Sequence, residues 1–193
     1  MMIRLFDEPQ AYMDHLATLA DEPARVELAV RDILARVRQE GDAAVLDFSE
    51  RFDGVRPATL RVPEEEMDMA VSSVDPAMKD VWIQAIENVE RFHMRQREDS
   101  QLEFFEDGSV LGWKVSPIDR VGVYVPGGQA VYPSSVIMNV VPAQIAGVPR
   151  LVLVSPPGEN GMPHKDILAV CALLDLREVY AVGGAQAVPA AGD

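Results

Sequence analysis

The sequence holds a single cysteine, Cys171, among its 193 residues, so an internal disulfide and a cysteine-based zinc site are both excluded. Such usage fits a reducing compartment, and a cytoplasmic location is expected. Histidine is nearly as scarce. His15, His93 and His164 fall on separate segments with neither H-x-x-x-H nor H-E-x-x-H spacing, so no metal site is expected within this chain. No run of about 18 apolar residues occurs, as a membrane-spanning helix requires; the most apolar stretch, 121–154, is broken by Gly, Pro, Gln, Asn and Arg. The first fourteen residues mix Arg4, Asp7, Glu8 and Asp14 among apolar ones and lack the layout of an export signal. Positive charge is also in deficit, with 17 basic against 31 acidic residues and a net charge of −14. That balance repels phosphate backbones and anionic lipid, which argues against nucleic acid or membrane as a partner.

What is present divides in two. Residues 1–110 carry 25 acidic and 12 basic groups, whereas residues 111–193 carry 6 and 5. The first part reads as acidic and helical. Val26, Val30, Ile33, Leu34 and Val37 recur at helical spacing up to Gly41. Asp42 is expected to cap a second helix with the stripe Val45, Phe48 and Phe52, ending at Asp53-Gly54. A short strand-like run covers 59–62, and Pro63 is expected at a first helical position before three glutamates. Asp75-Pro76 opens the longest helix, with Met78, Val81, Trp82, Ala85, Ile86, Val89 and Phe92 in one stripe. Residues 102–106 and 109–115 flank Asp107-Gly108, a β-hairpin pattern suited to a hinge between the two parts.

From Arg120 the rhythm becomes strand, glycine loop, helix. Apolar runs at 121–125, 151–154 and 178–182 end in the loops PGGQ, SPPGENG and GGAQ, with helical segments at 134–146 and 165–174 between them. The fold class is therefore α/β: an N-terminal helical region, then a β-hairpin, then an incomplete Rossmann-like parallel βαβαβ sheet. The expected domains are 1–119 and 120–193. All three loops fall at the carboxyl ends of the strands, where open α/β sheets bind ligands. Gly127 and Gly128 either let a cofactor approach the backbone or make a tight strand-to-helix turn; Gly183 and Gly184 pose the same choice. Neither loop is a G-x-G-x-x-G fingerprint, and Ser155-Pro156 ends the second strand where a standard dinucleotide fold presents an acidic residue. Tyr124 sits one residue before the first strand terminates, as a core residue or a ligand contact, and Gln186 brings amide donors and an acceptor to the third loop. Cys171 lies in a helical apolar stripe and reads as a small core residue. No nucleophile, base and orienting residue appear in a recognisable local motif. A three-stranded piece of sheet leaves an apolar face and an edge open, so self-association is expected.

Taken together, VGVYVPGGQA (121–130), YPSSVIM (132–138), PAQIAG (142–147), LVLVSPP (151–157) and VGGAQA (182–187) resemble histidinol dehydrogenase. VRDIL (30–34), GDAAVLDF (41–48), RFD (51–53) and NVERFH (88–93) resemble that family's opening helices. The resemblance implies a cytoplasmic homodimer that uses NAD and zinc to take L-histidinol through the aldehyde to L-histidine. It implies cofactor contacts at Tyr124 and Gln186, with Gly127 and Gly128 in the same loop motif. The family's zinc ligands, substrate contacts and Glu-His acid-base pair lie beyond the matching segment, so no catalytic or metal residue is assigned here and the chain is expected to be a truncated form. Pro189 also departs from the family and is expected to break the helix after GGAQ. Two other readings stay open: a relative oxidising another small alcohol such as sulfopropanediol, and a non-catalytic nucleotide-binding remnant.

Overall fold

The computed structural model describes residues 8–13, 22–127 and 131–190. Helices α1 (Glu22–Glu40) and α2 (Asp42–Asp53) form a hairpin. Helices α3 (Glu64–Ser73) and α4 (Pro76–His93) follow, then the antiparallel pair β1 (Gln101–Phe104) and β2 (Val110–Trp113). The remainder alternates: β3 (Arg120–Tyr124), α5 (Pro133–Ala146), β4 (Arg150–Ser155), α6 (Lys165–Leu173), β5 (Val179–Ala181) and α7 (Ala187–Ala190). Strands β3, β4 and β5 lie side by side in that order and run parallel, with Tyr124 level with Val154 and Ser155 level with Ala181. The α/β class expected from the apolar runs is the one observed.

The sheet is the middle of three layers because its strands alternate apolar residues to both faces. Val123, Leu153, Val179 and Ala181 pack with Met67, Trp82, Val136, Ile137, Ile167 and Leu168 from α3, α4, α5 and α6. Val152, Val154 and Val182 pack on the opposite side against Val37, Ala44, Val45 and Phe48 of the α1–α2 hairpin and Ala187 of α7. Cores on both faces thus draw residues from either side of position 120.

Several local expectations change. Asp42 is the first residue of α2 and Gly41 is its cap residue, with no side-chain cap bond; Asp42 still sits where a carboxylate favours the helix dipole. Pro63 stands at the cap of α3, one position before the first helical residue. Asp75 does cap α4, accepting from the Ala77 N–H at 2.8 Å, with Pro76 following. Of the α4 stripe, Trp82 is buried, Ala85, Ile86 and Val89 are packed against the core, and Met78, Val81 and Phe92 remain exposed. Phe52 stacks on Phe48 at 5.6 Å but is half exposed. Pro189 lies inside α7. It is the third residue of that helix, within the first turn, where an amide N–H has no helical partner to lose.

The run at 59–62 supplies an unexpected piece of the sheet. Arg61 bridges Tyr180 in antiparallel sense, the Val62 N–H donates to the Val179 carbonyl at 2.9 Å, and the Ala181 N–H donates to the Leu60 carbonyl at 2.7 Å. The β5 edge is therefore covered by the N-terminal part, while Gly122 and Tyr124 of β3 stay exposed. The β1–β2 hairpin turns at Asp107-Gly108, with Gly108 at φ 83°, and every strand residue in it is exposed.

Candidate functional site

The three loops after β3, β4 and β5 gather at one end of the sheet. This follows from parallel strands joined by helices that return the chain to the same starting edge. Tyr124 is the last residue of β3 and, by its register with Val154, belongs to the face covered by α1 and α2 further along the sheet. Its side chain is half exposed there, so the phenol is open to a ligand. Gln186 follows β5 and is fully buried, and its amide Oε1 and Nε2 have no hydrogen-bond partner among the described residues. With β4 between them, the ends of β3 and β5 are two strand spacings apart, roughly 10 Å.

Contact between these loops runs through Pro156, a residue with no role assigned from the sequence. A Cβ placed on Gly127 would stand 3.2 Å from the Pro156 carbonyl oxygen and 3.4 Å from its Cδ. A Cβ on Gly183 would stand 2.7 Å from the Pro156 Cγ and 2.9 Å from its Cβ. The available signal was a proline ending the central strand between two glycine loops. Gly184 adopts φ 60°, and a Cβ there would stand 2.5 Å from Gln186 Oε1, so glycine also makes room for the folded-back amide. Gly128 lies outside the described residues. Beside Pro156, the Ser155 hydroxyl is also buried without a partner among the described residues. Buried polar atoms without a partner are uncommon in folded proteins, so each calls for a physical reason.

The remaining titratable candidates serve structure. His164 caps α6, its Nδ1 accepting from the Asp166 N–H at 3.2 Å. Cys171 is sealed in α6, and burial pushes its thiol up to about 12, far from thiolate chemistry at neutral pH. The Glu178 carboxylate is held below its ordinary range mainly by a hydrogen bond from Arg150, which reaches it at 2.6 Å at the opposite end of the strands. Among the described residues, no three His, Cys, Asp or Glu side chains converge to hold a metal ion, so these residues do not fit a zinc site. They fit a nucleotide cofactor better: an open phenol, an unpaired amide and glycine loops at the strand ends. No helix among the described residues is long and apolar enough to cross a membrane.

Parallel strands, flanking helices and glycine loops at the carboxyl ends define an open α/β protein of the class that binds ligands at its strand ends. The family model for histidinol dehydrogenase matches residues 17–192, and the chain belongs to that family of oxidoreductases. It is 51% identical over 162 residues to the histidinol dehydrogenase of Geobacillus kaustophilus, covering 84% of this chain and 38% of that one. It is 53% identical over 162 residues to that of Nocardia farcinica, covering 82% and 36%. The crystal structure of histidinol dehydrogenase from Elizabethkingia anophelis superposes with a TM-score of 0.81 at 30% identity, over 86% of this chain and 38% of that chain. The chain thus spans well under half the length of these relatives.

Proposed function

We propose that this chain supplies the NAD-binding part of a zinc-requiring histidinol dehydrogenase, which takes L-histidinol to L-histidine through L-histidinal at the end of histidine biosynthesis. The single observation that carries the reading is Gln186, whose amide is completely buried and unpaired among the described residues, beside a glycine loop at a strand end. NAD would supply the hydride acceptor. Gln186 Nε2 donates and Oε1 accepts, so one side chain can satisfy a cofactor group of mixed polarity. Tyr124 offers its hydroxyl at the exposed end of β3, and Gly127 and Gly128 keep the adjoining backbone free of side chains. Residues 120–193 form the cofactor unit and residues 1–119 buttress it, covering both faces and the β5 edge of the sheet. Zinc ligands, substrate contacts and the acid-base pair belong to residues outside this chain, and the working assembly is a cytoplasmic homodimer.

Calorimetric titration of NAD into this chain tests the reading. Saturable binding is expected, with Gln186→Ala and Tyr124→Phe each weakening it by about tenfold, the scale of one or two lost hydrogen bonds. Equal affinity in both variants and the parent, or no binding by the parent, would overturn it.

A further inference from the structure

Gly127 lies in the loop that follows Tyr124 and Gly183 in the loop that leads to Gln186, yet neither has the positive φ that calls for glycine. Their missing side chains answer to Pro156. The proline stands between two outer loops at the end of the central strand β4, its backbone oxygen and ring against Gly127 and its ring carbons against Gly183. A proline ring has almost no internal freedom and fixes its own φ, so it keeps its width where a leucine or methionine would change rotamer. We infer that Pro156 is a positioning residue, a rigid spacer that sets the separation of the two glycine loops and so how the loop of Gln186 sits relative to Tyr124, which β3 itself fixes. The cofactor part of this inference rests on the reading proposed above.

A side chain added at residue 183 collides with the spacer, and a smaller spacer makes room for it. Gly183→Ala, Pro156→Gly and the double variant therefore form a cycle, read first by urea unfolding of the chain without NAD. Gly183→Ala is expected to lower the unfolding midpoint strongly alone and much less in the Pro156→Gly background; additive effects would overturn the spacer. The second reading is the NAD dissociation constant of the folded variants. Pro156→Gly alone is expected to weaken NAD, and the cycle is expected to show a coupling of about tenfold, as contacting residues do. A Pro156→Gly chain that stays folded and binds NAD as tightly as the parent would overturn the positioning role. Failure of the parent chain to bind NAD strikes the cofactor reading alone, and the spacer is then decided by the unfolding cycle.

Discussion

A buried amide without partners costs about 1–3 kcal/mol, and Gln186, unpaired among the described residues, carries one at full burial. Folding and binding accordingly pull this position in opposite directions. Gln186→Met keeps the length and removes the polar atoms; it is expected to raise stability by about 1 kcal/mol in urea unfolding while weakening NAD in calorimetry. Cys171 has no such conflict. Its thiol, pushed up to about 12 by burial, is expected to resist iodoacetamide in the native chain near pH 8 and to be labelled fully in denaturant, as read by intact mass. At this scale the sequence was informative where alternation and composition act directly: an apolar helical stripe hides Cys171, and a strand end exposes Tyr124. Pro156 was opaque because its role lies in contacts with residues 127 and 183, about thirty positions away on either side.

The β1–β2 hairpin stands apart from the layers, with all eight strand residues exposed. Its register pairs Leu102 with Gly112, and a Cβ at Gly112 would run into the Gln101 backbone carbonyl. Gly112→Ala is expected to abolish amide protection within 101–113 yet to change global stability by less than about 0.5 kcal/mol, because no core residue depends on the hairpin. Hydrogen exchange and urea unfolding of the same variant check both halves. The hairpin was legible from Asp107-Gly108, and the parallel strands from apolar runs ended by glycine loops. Less legible were the exact starts of α2 and α3. Gly41 and Pro63 take the cap positions there, and the neighbouring charged residues fit either arrangement. The pairing of residues 60–62 with β5 was hidden entirely, since nothing local to Leu60, Arg61 and Val62 names a partner beyond position 178.

Across the molecule, an acidic chain of net charge −14 is held by a few bridges that keep carboxylates ionised. Arg150 joins Glu178 from the start of β4, and Arg56 with Arg36 draws Asp47 below its ordinary range, chiefly through the Arg56 hydrogen bond. A carboxylate whose folded value is depressed adds stability that is present above its unfolded value and is lost as pH falls through the folded one. The melting temperature is thus expected to drop on acidification through the carboxylate range, and Glu178→Gln to flatten part of that slope, measured by circular dichroism in a pH series. The antiparallel pairing of Arg61 with Tyr180 also bears on how the chain is made. Residues 60–62 leave the ribosome roughly 120 positions before β5, a wait of about 6–24 s at 5–20 residues per second. During synthesis that segment is an unpaired strand at the far end of a long loop, and the β5 edge closes only once β5 has emerged. Cellular factors that shield nascent strands would have their longest window on this part of the chain.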